Sequence, residues 1–265
     1  MENVLTIAGS DSLAGGGIEA DLKTFEELNV FGLSALTSVA SITPAGVNLS
    51  QIPPTVIGQQ LDSILGQLPV HFAKTGLLGS QAALMMVCDK LQATKLKLVV
   101  DPVLVFKEGE TQLHTTYIDA MTHNLLPLGY VTTPNLDEAR QLSGLATITT
   151  KDQMREAALR IQAFGCPNVV IKGGSRLAGD VALDYLRAGD QDYWFTGPKI
   201  NRQTTDGAGC TFSAAITAEL ANGQSLPAAV AAAKTFVRLG ITHGVAISAT
   251  LGSVWQGASR QEETK

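Results

Sequence analysis

The stretch "NVLTIAGSDSLAGGGIEADLKTFEELNV", residues 3–30, decides the fold. Residues 3–10 form a short apolar run that breaks at Gly9 and Ser10, the pattern of a buried strand. A glycine-rich turn follows. Beyond it Ile18, Leu22, Phe25 and Leu28 recur close to helical spacing. Strand, turn and helix make one β–α unit, and the unit returns along the chain. Residues 33–43 are strand-like, and 55–68 form an amphipathic helix behind Pro53 and Pro54. Residues 71–79 enter a turn from a strand, and 80–92 form a helix with Ser80 placed as its N-cap. A strand runs into Asp101-Pro102, and 129–144 read as strand, turn and a helix starting near Asn135. Residues 168–174 are a strand ending in a glycine pair, and 181–189 with 191–197 resemble a hairpin. The last third is mostly helical and rich in alanine, with a polar tail from about Gly257 that is expected to fray.

Repeated β–α units with apolar strands predict an α/β fold with a mainly parallel sheet and helices on both faces. No repeat, low-complexity tract or linker divides the chain, so one domain over residues 1–265 is expected. With 45% hydrophobic residues and a net charge of -5, the chain has no basic surplus for a phosphate backbone, and nucleic acid is excluded as a partner. No apolar run reaches the roughly 18 residues of a membrane span. The first residues, "MENV", lack the basic start of a signal peptide. Three scattered cysteines, Cys88, Cys166 and Cys210, suit neither disulfides nor a zinc site. His71, His114, His123 and His243 show no metal spacing. The expectation is a soluble, cytoplasmic protein acting on a small molecule.

In a parallel sheet ligands sit at the carboxyl ends of the strands. There the chain places Asp11, Lys74-Thr75-Gly76, Asp101, Asn135 and Lys172-Gly173-Gly174. Near the C-terminal third stands "DGAGCTFSAA", residues 206–215. Gly207, Ala208 and Gly209 let backbone N–H groups turn toward one point, and the following helix aims its positive end there, making an anion hole for a phosphoryl group. The plain alternative is an ordinary turn before a helix. No Gly-Lys-Ser/Thr follows, so it is not a Walker loop, and residues 9–17 do not match the dinucleotide fingerprint. Cys210 at a helix start should have a lowered pKa and act on a substrate proton or carbonyl; otherwise it is a small buried hydrophobe. Asp101, Asn135 and Glu138 supply hard oxygens for Mg²⁺, although Asn135 and Glu138 also form a capping pattern. Lys172 is placed for a phosphate.

The motifs "LTIAGSDSLAGGGIEADLKTF", "AKTGLLGS", "VVDPVLVFKEG", "TPNLDEARQLSG", "VVIKGG" and "DGAGCTFSAAITAELANG" occur in this order over nearly the whole chain. The sequence thereby resembles the vitamin-kinase branch of the ribokinase-like superfamily, which holds the hydroxymethylpyrimidine (phosphate) kinases and the related Gram-positive-type pyridoxal kinases. The resemblance implies a three-layer α/β/α domain, a homodimer, and ATP with Mg²⁺ phosphorylating a hydroxymethyl group on a small heteroaromatic ring. It makes Gly207, Ala208, Gly209 and Cys210 the catalytic set, with Cys210 as base or as the group orienting the hydroxyl. It assigns Asp101 and Glu138 to the metal, and Asn135, Lys172, Gly174 and Thr211 to the nucleotide. Gly9, Asp11, Asp21, Ile42, Leu77 and Phe106 fall on the ring side, and residues 105–110 on a lid.

Two departures bear on the substrate. The pyrimidine kinases carry Gln or Glu at the position of Ile42, reading an amino group that isoleucine cannot bond. Some of the pyridoxal kinases have a lid cysteine where this chain has Phe106, which is suited to stacking on a ring instead. The leading expectation is a pyridoxal/pyridoxine kinase. Its rivals are a hydroxymethylpyrimidine kinase and a non-catalytic ligand-binding homologue.

Overall fold

The computed structural model describes residues 1–43, 46–104 and 115–261. Among these, nine strands form one sheet. They are β1 (Asn3–Asp11), β2 (Phe31–Thr43), β3 (Gly46–Gln51), β4 (Phe72–Thr75), β5 (Lys97–Val100), β6 (Gly129–Thr132), β7 (Asn168–Gly174), β8 (Val181–Ala188) and β9 (Gln191–Pro198). Their order is β3-β2-β1-β4-β5-β6-β7-β8-β9. The six strands from β2 to β7 run parallel, and the outer pairs β2–β3, β7–β8 and β8–β9 are antiparallel. The chain leaves β1 toward β2 and returns on the other side to β4, so the sheet switches direction at β1, where a crevice opens at the carboxyl ends.

Helices cover both faces. On one lie α1 (Gly17–Glu27), α7 (Ala208–Ala221) and α8 (Leu226–Thr242), whose Phe25, Phe212, Ile216 and Val230 pack on Val4, Val99, Val131 and Val170. On the other lie α2 (Pro54–Gln67), α3 (Gln81–Leu91), α4 (Thr115–Ala120), α5 (Leu136–Ser143) and α6 (Lys151–Gln162), whose Ile57, Leu61, Leu84 and Met154 pack on Leu5, Ile7, Leu98 and Ile171. Central strands are apolar on both sides for this reason. The α/β class, the hairpin β8–β9 and the Ser80 cap, which accepts the Ala83 N–H at 3.2 Å, match the sequence reading.

One strand was not anticipated and one expectation changes. β3 widens the sheet beside β2, pairing Ser38 with Gln51 through Thr43 with Gly46, and only Val47 and Leu49 alternate inward along its six residues. The tail does not fray at Gly257. Residues Gln256–Gln261 form a short helical turn, Gln256, Gly257 and Ala258 are buried, and the Trp255 N–H binds the Gly240 carbonyl at 3.1 Å.

Candidate active site

Two glycine-bearing loops meet backbone to backbone. Gly207, the N-cap of α7, has φ 74°, the left-handed region. A Cβ there would lie 1.6 Å from the Gly15 carbonyl oxygen, so no other residue fits. Conversely, a Cβ on Gly15 would lie 2.2 Å from Asp206 Oδ2. Asp11 shapes its own loop: its carboxylate accepts the N–H groups of Leu13 (2.9 Å), Gly15 (3.1 Å) and Gly16 (2.9 Å). Asp11 thus holds its own loop. Two of the four N–H groups at the start of α7 have local acceptors, Gly207 to Asp206 Oδ1 and Ala208 to the Thr205 carbonyl. Those of Gly209 and Cys210 have none within the helix. Lys172 Nζ would sit 3.4 Å from a Cβ at Gly209, so an ammonium stands against the same cradle. Two helix-start N–H groups and an ammonium thus lie together at the mouth of α7.

Charged side chains then alternate across the strand ends. Asp21 on α1 pairs with Lys74 on β4 at 2.7 Å, and its second oxygen accepts Thr6 Oγ1 at 2.6 Å. Asp101, after β5, accepts Lys172 Nζ at 2.9 Å, Thr133 Oγ1 at 3.2 Å and Ser213 Oγ at 3.2 Å. Lys172 is held in place by the Asn135–Lys172 bridge, where its N–H binds the Pro134 carbonyl at 2.8 Å. Glu138 and Asn135 form a full capping box on α5, with the Asn135 N–H on Glu138 Oε2 at 2.7 Å.

Burial sets the protonation here. It pushes the Glu138 carboxyl up to about 7, against the pull of Lys172, with Asp101 adding to the rise. Burial alone would lower Lys172, but Asp101 and Glu138 hold it above the ordinary lysine value. Cys210 corrects the sequence expectation. Burial pushes its thiol up to about 11; Lys74 is the foremost group favouring the thiolate, the Gly17 N–H a weaker one, and Asp21 and Asp101 oppose it. Desolvation and two carboxylates outweigh Lys74 and the Gly17 N–H, so the thiol form is favoured at neutral pH.

Other expected residues divide. Gly9 and Leu77 come together: a Cβ at Gly9 would lie 2.6 Å from Ser38 Oγ and 3.7 Å from Leu77 Cδ2. Ile42 is half-buried on β2 opposite Val47, on the strand face shared by Ser38 and Ala40. Asp21 is fully buried and anchors Lys74. Thr211 is also fully buried, its hydroxyl accepting Gln256 Nε2 at 3.0 Å, so it ties α7 to the C-terminal turn. Gly174 ends β7 at φ 51°, its N–H on Asp184 Oδ1 at 3.0 Å. Phe106, the 105–110 lid and His114 lie outside the described residues.

The family model for phosphomethylpyrimidine kinase matches residues 11–255. The chain belongs to that family. The kinase is 40% identical to the pyridoxine kinase of Bacillus subtilis over 264 residues, covering 98% of this chain and 97% of that protein. It is also 40% identical to the hydroxymethylpyrimidine/phosphomethylpyrimidine kinase of Streptomyces coelicolor over 255 residues, 96% of this chain and 94% of that one. The structure of pyridoxal kinase from Staphylococcus aureus in complex with AMP-PCP and pyridoxal superposes with a TM-score of 0.92 at 38% identity, covering 98% of this chain and 95% of that chain.

Two carboxylates are buried beside Lys172, Asp101 at 2% exposure and Glu138 at 7%, and their hard oxygens are of the kind a magnesium ion takes. No group of three metal-ligating side chains occurs among the described residues. Sequence reading missed Ser213 and underrated Lys74. Ser213 sits one turn beyond Cys210 on α7 and reaches Asp101 only because α7 packs on the sheet. No local motif announces such a contact.

Proposed function

We propose that this kinase transfers the γ-phosphoryl group of ATP to the hydroxymethyl group of pyridoxal or pyridoxine, giving the 5'-phosphate. The observation that carries the substrate choice is Ile42, a half-buried apolar side chain on the face of β2 that Ser38 shares; with the ring on that face, an aminopyrimidine would find no hydrogen-bond partner in it. Asp101 and Glu138 would hold Mg²⁺, largely through water, and the ion supplies charge neutralisation to the phosphates. Asn135 and Lys172 hold the nucleotide phosphates, and Gly174 lets the β7 end approach them. The N–H groups of Gly209 and Cys210, with Gly207 and Ala208 setting the turn, receive the charge that builds on the transferred group. Phosphoryl transfer needs alignment more than a strong base. A Cys210 thiol therefore acts as the group that orients the substrate hydroxyl. Gly9 and Leu77 wall the ring, and Phe106 covers it.

The family resemblance supports a single domain over residues 1–265 working as a homodimer in the cytoplasm. Among the described residues no helix is long and apolar enough to cross a membrane. The equal identity to the Streptomyces coelicolor protein favours a second reading, phosphorylation of hydroxymethylpyrimidine. The test is ATP turnover with pyridoxal, pyridoxine and hydroxymethylpyrimidine side by side, in the native protein and in Ile42→Gln. The expected result is a higher kcat/KM for pyridoxal, with Ile42→Gln shifting preference toward the pyrimidine by about tenfold, the worth of one hydrogen bond. A native preference for the pyrimidine, or no shift in the variant, overturns the role of Ile42. Turnover with none of the three would favour a ligand-binding homologue.

A further inference from the structure

One hydroxyl on β2 has nothing to bond. Ser38 is 0% exposed, and among the described residues its Oγ has no hydrogen-bond partner. A buried hydroxyl left unsatisfied costs stability, and folded proteins seldom keep one without a use for it.

A bulge puts the group where it stands. β2 pairs Leu36 with Ala8 and Val39 with Ser10, so Thr37 and Ser38 together face Gly9. Ser38 then shares its face of the strand with Ala40 and Ile42. A Cβ at Gly9 would lie 2.6 Å from Ser38 Oγ and 3.7 Å from Leu77 Cδ2, so the hydroxyl fills the space of the missing side chain and Leu77 closes on the same point. The other bulged residue is fully tied in. Thr37 Oγ1 donates to the Leu77 carbonyl at 2.7 Å, and the Thr37 carbonyl accepts the Ile52 N–H at 2.9 Å. Thr75 and Tyr117 also carry unpartnered hydroxyls, but Thr75 stands level with Ile7 and Val100, and Tyr117 belongs to the same apolar cluster. Ser38 has Gly9 and Ala40 beside it, and both are small enough to leave space for a flat ring. At about 3.3 Å per residue, Ser38 and Ile42 stand roughly 13 Å apart along β2 with the Ala40 methyl between them. A substituted six-membered ring over Ala40 meets a hydroxyl at one edge and an apolar side chain at the other.

We infer that Ser38 is a substrate-binding residue: its hydroxyl donates a hydrogen bond to an acceptor on the edge of the heteroaromatic ring, at the end of the wall opposite Ile42. The inference deepens the proposed function and rests on it for placing the ring on this face. Leu77 is half-buried, and a turn of its side chain opens the hydroxyl to the ring. Pyridoxal and pyridoxine present two acceptors, the ring nitrogen and the phenolic oxygen. A pyrimidine presents ring nitrogens.

The test is Ser38→Ala, which removes one oxygen atom. The measurements are the Tm of the ligand-free protein and the Kd of each ring compound by titration calorimetry without ATP. The free variant should melt at the native temperature or about 1–3 °C higher, because an unsatisfied hydroxyl is gone. Kd for pyridoxal and pyridoxine should rise about tenfold, the worth of one hydrogen bond. KM should rise with it while kcat changes by less than about threefold. Pyridoxine stripped of its phenolic oxygen separates the two acceptors. A variant-to-native Kd ratio of about one assigns the bond to that oxygen, and a ratio of about ten assigns it to the ring nitrogen. A Tm lower by about 2 °C or more overturns the inference, because the hydroxyl then has a partner inside the protein. So does a Kd within about twofold of native for every natural ring that binds. Binding of hydroxymethylpyrimidine alone sinks the proposed substrate, and the Ser38→Ala ratio on that ring still decides the inference. If none of the rings binds, both fall.

Discussion

Replacing Glu138 with glutamine changes one charge and almost no shape. Gln at this position still accepts the Asn135 N–H, so the capping box of α5 survives. What disappears is a carboxylate that burial has moved from 4.5 to about 7. Between those values the folded protein holds a proton that the unfolded chain has already released. Stability contributed by Glu138 is therefore fully present below about pH 4.5 and is lost as pH rises through 7. At 1.36 kcal/mol per pH unit the loss is about 3 kcal/mol. Glutamine avoids it. Relative to native, Glu138→Gln should gain roughly 2–3 kcal/mol between pH 5 and pH 8. With about 2.1 cal/mol/K of unfolding entropy per residue, a chain of this length should show a Tm gap about 5 °C wider at pH 8. Calorimetry at the two pH values measures it. Activity should move the other way, falling at least about tenfold at limiting Mg²⁺, because one of two metal-side carboxylates is gone. An equal Tm gap at both pH values, or a variant less stable than native at pH 8, would refute the burial argument.

Two substitutions test the anion hole. Gly207→Ala places a methyl group 1.6 Å from the Gly15 carbonyl at φ 74°; it should cost about 2–4 kcal/mol and lower kcat, measured by Tm and by steady-state turnover. Wild-type Tm and kcat in that variant would mean that the two loops are not locked together. Cys210→Ala should lower kcat by about 10²-fold or more while leaving Tm nearly unchanged, because the side chain is half-buried at the helix mouth; a kcat within a few-fold of native assigns the chemistry to the N–H groups alone.

Local patterns carried much of the fold. The strand–turn–helix order of residues 3–30 repeats, and each apolar strand was visible because central strands are covered on both faces. The capping box at Asn135 and the glycines at 207 and 209 were visible because their roles depend on near neighbours in the chain. β3 was not, since two apolar residues, Val47 and Leu49, are too short an alternation to stand out before its pairing with β2 is seen. Asp11 and Asp21 looked alike in sequence, two aspartates near one glycine-rich turn. In the structure Asp11 binds its own loop, whereas Asp21, on the inner side of α1, meets a lysine 53 residues away.

Sequence alone thus determined the α/β class, the kinase motifs and the glycines that the backbone needs, because these depend on spacing and local conformation. Tertiary structure alone decided the charge states. Whether Cys210 is thiol or thiolate, and whether Glu138 holds its proton near neutral pH, depends on desolvation and on charges brought from β4, β5, β7 and α1. Those distances do not exist until the sheet is assembled and α7 closes over it.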